Sequence, residues 1–100
     1  MADTQNVDRL DFLLPPEMDL LAAEALRASL IELLNKSGDL SIDGGEVVRM
    51  STPCVEVLLA AATAFSDSGR GFEVRQPSPS LCDAFDTLGL ADRIELWRAS

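Results

Sequence analysis

The sequence contains no histidine, no tyrosine, one tryptophan and only two cysteines in 100 residues. The absence of histidine excludes a His-dependent catalytic triad and any metal site built on imidazole. Two cysteines are too few for a Cys₄ zinc site. We therefore expect no metal, and the absence of any recognisable cofactor motif leads us to expect no organic cofactor either.

Basic residues are also scarce. The chain has eight lysines and arginines and 17 acidic residues, which gives a net charge of −9. Such a surface repels the phosphates of nucleic acids and of anionic membranes. No run reaches the roughly 20 apolar residues of a membrane span. The polar, acidic start of the chain lacks the regions of a signal peptide. We expect a cytoplasmic protein with reduced thiols that binds no nucleic acid and does not insert directly into a membrane.

The remaining composition is typical of a globular protein, with 47% apolar and 25% charged residues. The length fits one domain. We expect residues 1–8 to form a disordered lead-in and residues 9–100 to form the domain.

Strand and helix patterns alternate along the chain. The predicted elements are a strand over 10–14, a helix over 19–36, a strand over 40–43, a helix over 53–65, a strand over 72–75 and a helix from residue 79, with helical turns over 91–97. Pro15-Pro16 ends the first strand, while Asp19, Thr52 and Ser78 are the expected N-caps. This order predicts an α/β fold in which helices cover parallel strand pairs.

The second predicted helix is apolar nearly all round, since its only polar residues are Glu56 and Thr63. The stripe expected to pack on the sheet consists of Val55, Leu58, Leu59, Ala62 and Phe65. The opposite side carries Pro53, Val57, Ala60 and Ala64. A helix of this kind is either fully buried within its domain or offers a surface to a partner, and the sequence leaves both open.

No motif for nucleotide binding, hydrolysis or metal catalysis occurs, and the carboxylates are scattered, so we expect no enzyme and no catalytic residue. Cys54 and Cys82 are either reactive thiols or small buried residues, and burial is the more common role. Trp97 is either a partner anchor or, as we expect, part of the core. Thr52 is either a plain helix cap or a phosphate acceptor.

The segment Leu40–Leu59, LSIDGGEVVRMSTPCVEVLL, resembles the central segment of STAS domains, the bacterial anti-sigma-factor antagonists and their relatives. Asp43, Val47 and Met50 match without a gap, and AEALR upstream and GFEV and PSP downstream match in order. The resemblance covers about residues 9–97. It implies a STAS-like single domain with a mixed, mostly parallel four- to five-stranded sheet and helices packed on one side.

The resemblance also implies a function. Thr52 matches the position phosphorylated in the antagonists, whereas Ser51 replaces an acidic residue and Cys54 a glycine. It implies partner binding through the start of the second helix, at Ser51, Thr52, Pro53, Cys54, Val57 and Ala60. The partner would be an anti-sigma factor with serine kinase activity, a histidine kinase of a chemotaxis system or the ATPase subunit of a phospholipid-transport ABC complex. Either phosphorylation of Thr52 switches the module, or it is a constitutive subunit.

Overall fold

A computed structural model describes residues 9–98 of the chain. The strands within this range are Arg9–Leu13 (β1), Glu17–Met18 (β2), Asp39–Asp43 (β3), Arg49–Met50 (β4) and Phe72–Arg75 (β5). The helices within it are Ala22–Leu34 (α1), Thr52–Asp67 (α2), Pro79–Thr87 (α3) and Ala91–Trp97 (α4). The lead-in predicted for residues 1–8 lies outside the described residues.

The strands form two parallel ladders. The larger has the order β1-β3-β5, and β2 pairs with β4 in the smaller. The α/β class and the mostly parallel pairing are thus confirmed. The expected single sheet of four to five strands is divided into three and two, and every ladder within residues 9–98 is parallel. Pro15-Pro16 explains the division: without N–H donors the chain leaves the first ladder, and β2 pairs elsewhere.

The register of the larger sheet separates an apolar face from a polar one. Leu40 lies between Leu10 and Phe72, and Ile42 lies between Phe12 and Val74. Since side chains alternate along a strand, both rows point to the same face. Leu40 and Ile42 form one core cluster with buried residues of all four helices in the described range, such as Leu26, Leu58, Phe85 and Ile94. The helices therefore cover one side of this sheet, as predicted.

Ser41 organises the opposite, polar face. Its hydroxyl is buried, donates to Glu73 Oε2 at 2.7 Å and accepts from Arg75 Nε at 2.7 Å. Arg75 also lies 3.8 Å from an Asp11 oxygen and 3.9 Å from an Asp43 oxygen. This alternation of charges satisfies the polar groups of the face without a covering helix.

The C-terminal helix closes the core through its aromatic residue. The Trp97 ring lies edge-on to Phe72, with centroids 5.1 Å apart, and edge-on to Phe85 at 5.6 Å. Such geometries are favoured for aromatic pairs. Trp97 is buried, which confirms its expected place in the core.

Arg70 caps the carboxyl end of α1 from the loop that follows α2. Its guanidinium donates to the carbonyl oxygens of Gly38 at 2.7 Å, Leu34 at 2.8 Å and Leu33 at 3.2 Å. Its Cζ lies 4.4 Å from the centroid of the Phe65 ring, within cation–π range. One side chain thus donates to two carbonyls in the last turn of α1 and to one in the loop after it, and ties α1 to α2.

We expect Arg70→Met to lower the free energy of unfolding by about 2–4 kcal/mol, because it removes the guanidinium donors of the Gly38 and Leu34 carbonyls and one of the two donors of Leu33 O. Arg70→Lys should recover only part of the loss, since an ammonium cannot reproduce the fork of a guanidinium. Urea unfolding followed by Trp97 fluorescence measures both. The matched control is Arg93→Met, an exposed arginine whose loss should cost less than about 0.5 kcal/mol. Equal midpoints for Arg70→Met and wild type would exclude the capping role.

Candidate functional site

The predicted site lies where the β1, β3 and β5 strands end. Loops that follow parallel strands meet at one edge of the sheet. Here Gly44 N–H donates to Arg75 O at 2.9 Å, and Ser78 N–H donates to Gly44 O at 3.1 Å. Ser78 Oγ also donates to Val47 O at 2.6 Å and accepts from Leu81 N–H at 3.1 Å, which confirms Ser78 as an N-cap. These bonds fix the loop that leads to α2.

The start of α2 is held by the segment between β2 and α1. Ser51 N–H donates to Met18 O at 2.8 Å, and the Cys54 thiol donates to Asp19 O at 3.4 Å. Asp19 Oδ1 accepts from Ala22 N–H at 3.1 Å and so stabilises the entry to α1, but the N-cap position is Leu21 and not the predicted Asp19. The first turn of α2 therefore lies against the entry to α1.

The N-cap of α2 is Ser51, so the sequence-based prediction of Thr52 as the N-cap is wrong. Ser51 has extended dihedral angles, φ −82° and ψ 160°, and its carbonyl accepts from Val55 N–H at 3.1 Å. The bond from Ser51 to Met18 holds it in the extended conformation, so the helix begins one residue earlier. The Ser51 hydroxyl is buried and has no hydrogen-bond partner among residues 9–98. Thr52 is thus the first helical residue and Pro53 the second.

The predicted contact residues differ in exposure. Thr52 and Ala60 are exposed, whereas Ser51, Pro53 and Val57 are half-buried. Cys54 is fully buried, so the expectation that it contacts a partner directly is wrong. Two residues after Thr52, an α-helix has turned by about 200°, which directs Cys54 towards the core. Its burial agrees with the alternative role of a small core residue.

The same geometry adds Glu56 to the surface. Glu56 lies one helical turn after Thr52, so both side chains share one face, and both are exposed. The i, i+4 spacing could have revealed it from the sequence. Glu46, in the loop before β4, is a second exposed carboxylate in the segment that leads to α2.

Three large apolar side chains that the sequence analysis missed flank this helix start. Leu20 and Leu21 follow Asp19. Val48 lies on the loop before β4, and its N–H donates to Pro16 O at 2.9 Å. All three are exposed, Leu21 to 85%. We call Leu20, Leu21 and Val48 the apolar collar. The sequence could have revealed Leu21. It lies two residues before Ala23, a rotation of about 200° along a helix, and therefore on the side opposite the apolar stripe of α1.

Other classes of site find no support in the described part of the chain. Within residues 9–98, no group of three or more cysteine or acidic side chains is placed to hold a metal ion. Among the helices of the same range, none combines the length and the apolar character that crossing a membrane requires.

The comparison with protein families identifies the chain. The family model described as "Mlab, STAS domain" matches residues 3–97, nearly the whole length. The chain belongs to the STAS domain family. This confirms the resemblance drawn from the sequence, and it supports a regulatory, partner-binding role in general, because STAS domains bind protein partners. No curated protein matches this STAS domain in a sequence comparison.

The two thiols of this STAS domain should react at different rates. Both cysteines are free, but Cys54 is buried and Cys82 is half-buried. Because exposure limits thiol chemistry, we expect native protein to react quickly with about one equivalent of Ellman's reagent, at Cys82. Cys82→Ser should then react only after unfolding in urea. Rapid labelling of Cys54 in folded Cys82→Ser protein would contradict its burial and revive a thiol-sensor role.

Proposed function

We propose that this STAS domain is a non-enzymatic, cytoplasmic regulator that binds a kinase or ATPase partner through the start and exposed side of α2. The carrying observation is that exposed Thr52 stands beside the apolar collar, on a helix end fixed by Met18 and Asp19. The candidate partners are an anti-sigma factor with serine kinase activity, a chemotaxis histidine kinase and the ATPase subunit of an ABC complex.

The physical support is the combination of apolar and acidic surface. Burying one leucine side chain contributes about 1.5–3 kcal/mol, so the collar could supply much of an interface core. Protein interfaces commonly combine such a core with a polar rim. Glu46 is exposed two residues before Val48, Glu56 is exposed on the face of Thr52, and the chain carries a net charge of −9. A partner with basic residues around an apolar patch therefore fits best and would associate quickly.

The proposed function has two versions, a module that phosphorylation of Thr52 switches and a constitutive subunit without that switch. In the first version, a phosphate on Thr52 controls partner binding. It would place up to two negative charges next to the collar, where a docked partner would remove them from water. The positive end of the α2 dipole favours a charge at that position. The modification would therefore weaken an apolar contact while remaining compatible with the helix.

Two observations favour the second version, a constitutive subunit without the switch. Pro53 removes one of the N–H groups that could hold a phosphate. Glu56 shares the exposed face of Thr52, and like charges at i, i+4 repel. Pro53 and Glu56 thus make a phosphate on Thr52 less stable, and neither of them disrupts the proposed binding surface.

We expect Leu21→Glu and Thr52→Glu to weaken partner binding at least tenfold, because each places a carboxylate in the proposed contact. The measurement is co-purification and titration with a purified kinase or ATPase subunit from the same organism. The matched control is Leu96→Glu on α4, where the replaced leucine is 74% exposed and lies outside the collar. Unchanged binding of Leu21→Glu and Thr52→Glu would place the interface elsewhere.

Intact-mass analysis after incubation with the partner kinase and ATP distinguishes the two versions. For a switched module we expect a gain of about 80 Da that is lost in Thr52→Val. An unchanged mass, in a sample that binds the kinase, leaves the constitutive subunit. A gain that persists in Thr52→Val contradicts the assignment of the site.

A further inference from the structure

The exposed side of α2 continues into an apolar groove against α1. We propose that this groove binds a short acidic, apolar segment of the partner protein. The inference rests on the proposed function, because Val57 and Ala60 belong to both surfaces. It adds the chemistry of a second contact, at the end of α2 away from Thr52.

The groove exists because α2 has small side chains where it packs against α1. Ala60, Ala61 and Ala64 line the groove on the side of α2, and the exposed Ile31 lines it on the side of α1. Its volume is about 220 Å³. Sites for small molecules usually enclose about 300–1,000 Å³, so this space fits one or two apolar side chains of a protein segment better.

Arg27 determines the charge of the occupant. It is exposed and is the one charged residue that lines the groove. None of the ion pairs within residues 9–98 includes Arg27, whereas Arg9, Arg49, Arg75 and Arg98 each have a carboxylate within 4 Å. An arginine beside apolar surface recognises a carboxylate well, because its fork matches the two oxygens.

The neighbouring residues determine the direction of the segment. Beyond Arg27, towards the start of α2, the surface depression is lined by Glu24 and Glu56. These carboxylates would repel an acidic segment, which is therefore directed towards Ala64 and Phe65. A basic segment would face repulsion from Arg27. A second copy of this chain is the alternative occupant, and the dimerisation measurement below tests it.

The test is selection of random peptides of about twelve residues, long enough to present anchors at i, i+3, i+4 and i+7, on the full chain. Ala64→Trp, which fills the groove, is the counter-target. We expect enriched peptides to carry a large apolar residue within four positions of Asp or Glu. A synthetic representative, followed by fluorescence anisotropy, should bind at least tenfold more weakly to Ala64→Trp, Ile31→Glu and Arg27→Glu.

Two further variants separate the outcomes. Arg27→Lys should retain only part of the peptide binding, because an ammonium keeps the charge but cannot match both carboxylate oxygens, and Leu21→Glu should retain all of it. Loss of partner capture in Leu21→Glu with intact peptide binding thus tests the proposed function apart from the groove. The midpoints of urea unfolding check that each variant folds. If Ala64→Trp does not fold, the peptide affinity of Ile31→Glu tests the groove in its place.

Three results would overturn the inference. The first is an absence of enrichment over the counter-target. The second is enrichment of peptides that are basic, or that bind the groove variants as well as wild type. The third is concentration-dependent dimerisation that Ile31→Glu abolishes, which would identify a second copy of the chain as the occupant.

Discussion

The Met18 and Asp19 carbonyls hold the start of α2, and the geometry of the candidate site depends on these two contacts. Met18 O accepts from Ser51 N–H at 2.8 Å, and Asp19 O accepts from the Cys54 thiol at 3.4 Å. Because Pro15-Pro16 ends β1, the chain turns aside at this point and forms the short β2–β4 ladder. The same turn brings Leu20 and Leu21 next to the helix start. A surface that combines two distant sequence segments, residues 18–21 and 48–56, thus follows from one interruption of a strand.

The apolar character of α2 has two causes, which the structure separates. Val55, Leu58 and Phe65 are fully buried under the sheet and the other helices. On the other side, alanines leave space against α1 instead of filling it. A monomer that needed only stability would gain from larger side chains there, since unfilled apolar space forfeits contacts. Both proposed contacts use this side of the helix, which the domain itself does not cover.

The sequence predicts the fold better than the site, for a physical reason. Repeating patterns extend over whole elements, so β1, α1 and β5 lie within a few residues of their predicted bounds. The β2–β4 ladder has two residues in each strand and carries no periodic signal. Because the sequence analysis did not predict this ladder, it could not predict the hydrogen bond from Ser51 N–H to Met18 O. That bond is the reason why Ser51 is the N-cap of α2 and Thr52 is not. The missed apolar collar has the same origin, because its residues meet only through this ladder.

Charge and apolar surface act on different properties of the proposed interface. The apolar collar could contribute affinity to many partners, because the hydrophobic effect has no direction. The carboxylates around it, Glu46 and Glu56 among them, penalise any partner whose facing surface is acidic. Arg27 lies three residues after Glu24 on α1, less than one helical turn, and reverses the local sign where the depression lined by Glu24 and Glu56 meets the groove. A partner that matches the whole surface therefore needs an apolar patch against Thr52 and the collar, basic residues at the rim of that patch and an acidic residue near Arg27. This order of charges specifies one orientation of the bound protein, which neither the collar nor the groove could specify by itself.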